Sequence, residues 1–505
     1  MPIGAETVRA VEELFAQRVR EERSPGSAWA LFDRDGVAAA GGLGAARLAE
    51  ARTGDESPVD GQRADAASDA GALASDADVL FRVASCTKSF TAAALLLLRD
   101  RGAVDLDAPV RAFVPEFAPE VPGGLDAPVS VRMLMTMSGG LPTDDAWADR
   151  EESMTRDAFR RVLAAGIRCV TVPGTAYEYS NVGYALLGQV VEAVSGDGYA
   201  EFVERELIAP LGLDARFAAP TGDSPAVAIG YRRGPDGWIG LQFTGPGVFS
   251  AIGGVFASAR SLAAWAGWLA SGWRGDEAGP LSAASRRELQ QLHRVAPPRS
   301  PAPDDPTPMP APLVHGYGYG LVVEHDARFG PVLSHSGGYP GFSAHMRWHA
   351  ASGLGVVALE NATYAKVSRG AEAALERLLL DADAVESLRT PIVPWPETLR
   401  VAEGLGRLAV EWSDAAADEL LATNVALDLP YAERRAAIDS AWDAVGGRAG
   451  ERATAEDVTC DSPDHLVWFL RGAAGRLRLE TRLTPLVGGR AQTFIVAVEG
   501  ADPQG

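Results

Sequence analysis

The chain has 505 residues, 47% hydrophobic and 22% charged, and a formal charge of −21 from 46 basic and 67 acidic side chains. Its 55 glycines and 33 prolines stay below the roughly 25–30% combined share of low-complexity chains, so the composition is that of a soluble, acidic, globular protein. The longest wholly apolar run, Ala92 to Leu98, is far short of the ~18–20 residues that cross a bilayer, and the acidity argues against nucleic acid or an anionic membrane surface as a partner.

The N-terminal segment spaces Val8, Val11, Phe15 and Val19 at helical intervals among charges, with no apolar leader core or small-residue cleavage site, and predicts a helix in a cytoplasmic protein. Residues 27–33 and 37–46 read as two short strands around the turn-like Arg34-Asp35-Gly36. The stretch 51–80 holds seven acids, two arginines, eight alanines and no aromatic residue, too little apolar surface for a fold, and is expected to be a flexible acidic insertion. Helical periodicity marks 86–101, 156–165, 182–195, 199–207 and 258–271, and strand-like runs return over 318–360. Eight prolines within 297–312 forbid helix or ladder there and imply an extended surface loop. This order predicts a sheet built from both ends of a domain spanning 1–385, with a helical region inserted between them.

Residues 386–398, with Pro391, Pro394 and Pro396, read as a linker. In 399–505, Asp428-Leu429-Pro430 resembles a helix start, Ile438, Trp442 and Val445 follow at helical spacing, and Gly446 marks a stop. The runs 465–471 and 476–484, joined by a glycine-bounded turn, predict a hairpin, and 492–498 a third strand. A small α+β domain without a recognisable chemical motif is expected.

Cys86, Cys169 and Cys460 are an odd number, lie far apart and form no CxxC pair, which supports neither a disulfide framework nor a cysteine zinc site. His345 and His349 sit among strand-forming residues without the glutamate of HExxH, and read as core or surface histidines. There is no complete GxSxG and no P-loop, and Gly316-Tyr317-Gly318-Tyr319-Gly320 is not GxGxxG but a tight strand. No metal or cofactor is expected.

Of the 46 basic residues only Lys88 and Lys366 are lysines. A lysine kept against that bias offers what arginine cannot, loss of its proton near neutral pH; the competing reading is that both survive by drift. Lys88 stands in Ser85-Cys86-Thr87-Lys88 at the head of an apolar helix that must be buried. Side chains three apart on a helix lie ~5–6 Å apart at Cβ, so the amine can reach the Ser85 hydroxyl, and the helix start favours a developing oxyanion. A desolvated lysine can take the serine proton; a helix cap with a surface lysine is the alternative. Two further stretches could join it. Tyr179-Ser180-Asn181 precedes another apolar helix and offers a phenol and an amide, or an aromatic anchor and a cap. His335-Ser336-Gly337-Gly338 lies in a strand whose glycines permit close approach of a substrate backbone.

Together SxxK, YSN and HSG, in this order and with segments such as FRVASCTKSFTAAALLLL, PGTAYEYSNVGYALLGQVVEAVSG and SHSGGYPGFSAHMRW, resemble the serine β-lactamase-like family over about residues 5–380. That family includes class C β-lactamases, D-Ala-D-Ala carboxypeptidases, D-aminopeptidases and related esterases. The resemblance implies an α+β fold of the β-lactamase and DD-peptidase type, an antiparallel sheet with flanking helices. It implies Ser85 as acylated nucleophile, Lys88 as its proton acceptor and Tyr179 as proton shuttle to the leaving group. Asn181, His335, Ser336 and Gly337 would bind substrate, with Asn181 on a carbonyl and His335 in place of the third motif's cation; the N–H groups of Ser85 and Gly338 would form the oxyanion hole. Neither SDN nor KTG occurs, which points to the carboxypeptidase and aminopeptidase branch and away from potent β-lactamase activity. The leading expectation is a metal-free serine hydrolase of a small ester or amide, able to form homo-oligomers. A D-amino-acid peptidase or carboxypeptidase acting on cell-wall peptides is the runner-up, and a catalytically silent scaffold the reading from another class.

Overall fold

In the computed structural model the described residues are 3–49, 52–53, 72–217, 226–297, 314–382, 392–448 and 456–499. The chain divides into two compact units, Met1–Leu388 and Arg389–Gly505.

The first unit is built on a nine-stranded antiparallel sheet. In spatial order its strands are Arg294–Val295, Val314–Tyr317, Val322–Asp326, Gly330–Tyr339, Phe342–His349, Gly355–Glu360, Gly26–Asp33, Gly36–Arg47 and Leu73–Ala74. The two ends of the unit meet where Gly26–Asp33 pairs with Gly355–Glu360, in the register Ala28↔Leu359 and Ala30↔Val357. Alternation sorts the side chains of Gly26–Asp33 between two cores. Ala28, Ala30 and Phe32 face the large core shared with the inserted helices. Trp29 and Leu31 face Val11, Phe15, Leu375 and Leu378 on the outer helices Ala5–Arg20 and Ser368–Asp381. This strand has no solvent face, which is why it reads as near-continuous apolar sequence.

The inserted region holds the helices expected from periodicity, now Thr87–Asp100, Arg156–Ala165, Asn181–Ser195 and Ala259–Ser271. The run expected at 199–207 is helical only over Tyr199–Val203 and continues as a π turn over Glu204–Ile208. Thr87–Asp100 is buried from Thr87 to Leu98 and is fixed against Ala259–Ser271 by Phe90 stacked on Trp265, centroids 3.9 Å apart, with Trp265 Nε1 donating to Ser89 Oγ at 2.9 Å.

The acidic insertion needs correction at its C-terminal end. Residues 54–71 lie outside the described residues, but Leu73–Ala74 forms the edge strand, Ser75 Oγ donates to Ser27 O at 2.7 Å, and Val79 and Leu80 are buried. Composition averaged over thirty residues hid the short apolar end. The proline-rich run at 298–312 lies outside the described residues.

Among the described residues of the second unit four helices, Pro396–Val410, Asp414–Leu420, Thr423–Asp428 and Tyr431–Ala444, accompany a four-stranded antiparallel sheet. Its strands run in the order Glu456–Thr459, His465–Arg471, Arg476–Leu483, Ala491–Val498. Val401, Leu405, Trp442, Trp468, Leu477 and Leu479 form its core. Pro396 opens a helix inside the segment read as linker, since proline at a first helical turn lacks only an N–H that would go unpaired.

Candidate active site

Three elements converge. The first is the turn Ala84–Cys86 leading into Thr87–Asp100. Ala84 there holds φ at +47°, a strained conformation that turns the chain just before Ser85. Second is the start of the helix Asn181–Ser195, capped by Ser180 Oγ on Gly183 N and by Asp144, whose carboxylate accepts from the N–H of Asn181 and Val182 at 2.7 and 2.9 Å. Third is the strand Gly330–Tyr339, whose pairing with Val322–Asp326 ends at Ser334↔Val322. From His335 onward that edge is free of the neighbouring strand and faces the Ser85 turn. A Cβ on Gly337 would lie 2.4 Å from Val83 O, and one on Gly320 2.4 Å from Lys88 O, so glycine is what permits both approaches.

Lys88 is wholly buried. Its Nζ lies 3.0 Å from Ser85 Oγ, 2.7 Å from Asn181 Oδ1 and 3.0 Å from Ile252 O, and 5.1 Å from the centre of the Tyr179 ring. Burial pulls its pKa down to about 8, against the opposing pull of Asp149, Asp145 and Asp144. Lys366, in contrast, is exposed. Tyr179 interacts electrostatically with Ser85, and burial raises its pKa well above that of an ordinary tyrosine, which keeps the phenol neutral. Ser85 is buried, with 8% of its surface exposed.

Asn181 and His335 are both buried. Asn181 is fully buried and both ends of its amide are engaged, Oδ1 by Lys88 and Nδ2 by Asp145 Oδ1 at 2.6 Å. Its Oδ1 orients the lysine, and Asp145 takes one proton of its Nδ2. His335 is buried, with Nδ1 2.7 Å from Ser336 O and Nε2 2.8 Å from Tyr317 Oη. The carbonyl can only accept, so Nδ1 carries the proton and Nε2 accepts from Tyr317. Burial, reinforced by Lys88, lowers its pKa to about 3, so His335 is a neutral hydrogen-bonding residue and not a cation. Ser336 points to solvent and bonds His345 Nδ1 at 2.8 Å, while His349 is held by Phe329 O and Ser352. Among the described residues no group of three or more His, Cys, Asp or Glu side chains could hold a metal ion, and no helix is long and apolar enough to cross a membrane.

The sequence reading missed the aspartates at 144, 145 and 149. Asp144 caps a helix, Asp145 fixes the Asn181 amide, and Asp149 is 4% exposed with a pKa raised to about 6 by burial. Three acids within six residues were the available signal.

Comparison with known proteins agrees with this architecture. Penicillin-binding protein 4* of Bacillus subtilis (strain 168) is 25% identical over 278 residues, 53% of this chain and 57% of that protein. Esterase EstB of Burkholderia gladioli is 31% identical over 180 residues, 31% of this chain and 45% of that protein. The chain thus spans about half the length of these curated relatives. Among solved structures, the octameric penicillin-binding protein homologue from Pyrococcus abyssi matches with TM-score 0.58 at 22% identity, over 97% of this chain and 95% of that one. A D-stereospecific amidohydrolase from Streptomyces sp. matches with TM-score 0.53 at 22% identity, over 73% and 98%. These two likenesses show a shared fold. The family model described as Beta-lactamase matches residues 11–381, the unit that carries Ser85, Lys88 and Tyr179, and the chain belongs to that family.

Proposed function

We propose that this protein is a serine hydrolase that transfers the acyl group of a small ester to Ser85 and then to water. The observation that carries the reading is the set of partners around Lys88 Nζ. Asn181 Oδ1 and Ile252 O can only accept, so they hold the two protons of the neutral amine and leave its lone pair directed at the Ser85 hydroxyl 3.0 Å away. Ser85 Oγ attacks the ester carbonyl as its proton passes to Lys88. The neutral Tyr179 phenol, close to Ser85, returns a proton to the departing alcohol, and the same groups activate the water that releases the acid. The N–H groups of Ser85 and Gly338 serve the oxyanion, a role worth about 3 kcal/mol per donor in other serine enzymes.

The neutral state of His335 favours an uncharged ester over a penicillin or a peptide with a free C-terminus, since it offers no cation to a substrate carboxylate. The likeness to an esterase supports the same choice. Intact mass after brief exposure to an activated acetyl ester tests it: an acetyl adduct is expected on the wild type and none on Ser85→Ala, with no penicilloyl adduct on either. An acetyl adduct of equal amount on Ser85→Ala would remove the nucleophile. Self-association is a second part of this reading, supported by the octameric protein of the same fold; light scattering that gives one chain's mass would exclude it.

A further inference from the structure

Tyr364 follows the strand Gly355–Glu360 and holds φ at +46°, a region a tyrosine enters only under strain. Its ring lies against Gly338: a Cβ added at that glycine would sit 2.6 Å from Tyr364 Cδ1. Its hydroxyl donates to Asp149 Oδ2 at 2.8 Å. Asp149, just after the short helix Asp145–Ala148, is buried and acts electrostatically on both Lys88 and Tyr179, so it borders the site. The Tyr364 side chain therefore runs from the open edge of the Gly330–Tyr339 strand to the helical region, while 42% of the residue remains exposed.

We propose that Tyr364 is the specificity-determining wall of the acyl pocket, closing the groove at Gly338 and restricting the enzyme to short acyl chains, with Asp149 as the positioning residue that holds the ring in place. This rests on the Ser85 reading: a carbonyl oxygen held at Gly338 places the acyl substituent beside the Tyr364 ring. Glycine at 338 lets the ring come that close, and the tie to a buried carboxylate compensates the strained backbone.

The test compares kcat/KM for p-nitrophenyl acetate and octanoate in the full-length protein, with the Ser85 acyl adduct followed by mass. Tyr364→Ala is expected to raise the octanoate-to-acetate ratio about tenfold or more, the size of effect that a few buried methylenes give. Tyr364→Phe, which breaks only the hydrogen bond, and Asp149→Ala, which also removes a carboxylate that acts on Lys88, are expected to raise it less. Asp149→Asn, which keeps an acceptor for the phenol, is expected to restore a ratio near the wild-type one. A Tyr364→Ala enzyme that still acylates Ser85 with an unchanged ratio overturns the wall and leaves the Ser85 reading intact. A wild type that forms no adduct with either ester overturns both. Should Tyr364→Ala fail to fold, Tyr364→Leu takes its place, and an unchanged ratio in that variant overturns the wall equally.

Discussion

On the proposed mechanism Lys88 works only as the neutral amine, and its pKa of about 8 gives the pH dependence a definite sign. Below that value the ammonium form dominates and kcat/KM for an activated ester should fall about tenfold per pH unit; above it the profile should level. A flat profile between pH 6 and 9 would exclude Lys88 as the proton acceptor, roughly the window that its shifted pKa governs. Lys88→Arg keeps the charge and loses the accessible neutral form, so turnover should be lost while the fold survives. Asp145 acts one step further out. Asp145→Ala leaves the Asn181 Nδ2 group without its carboxylate and frees the amide to turn, so kcat should drop on the order of tenfold to a hundredfold with a smaller change in KM. A kcat equal to wild type would show that the Asn181 amide keeps its orientation toward Lys88 without Asp145.

The strand Gly330–Tyr339 makes its prediction through its glycines. At Gly337 an added methyl would meet the Val83 carbonyl at 2.4 Å, a backbone atom that cannot swing aside, so Gly337→Ala must push the strand off the Ser85 turn. A destabilisation of about 1–3 kcal/mol by urea unfolding is expected, together with loss of acylation. Gly245→Ala, where nothing lies within 4 Å, is the matched control and should leave both unchanged. Element boundaries were largely legible beforehand. Thr87–Asp100, Arg156–Ala165 and Ala259–Ser271 fall within about a residue of the periodic runs, because their apolar faces and caps are written in contiguous sequence. The π turn at Glu204–Ile208 and the edge strand Leu73–Ala74 escaped, since packing against distant chain overrides local pattern there.

At the scale of the whole molecule, two units with separate cores should unfold as two transitions. Leu479 is fully buried in the second core, and Leu479→Ala should cost that unit about 2–5 kcal/mol. Calorimetry should then show one transition moved down and the other in place; a single transition moved as a whole would mean that the units melt together. The sequence alone determined the acid composition, the sheet drawn from both ends of a domain, the Ser85–Lys88 pair and the phenol of Tyr179, all of which rest on periodicity and short spacings. The tertiary structure alone decided that Asn181 serves Lys88, that His335 is neutral, and that Asp149 holds Tyr364. The partners in the first and last of these pairs stand 93 and 215 residues apart, and a charge state follows from burial, which no local pattern records. Chemistry that needs two adjacent side chains is written along the chain, whereas desolvation and the choice of hydrogen-bond partner arise only when distant segments pack.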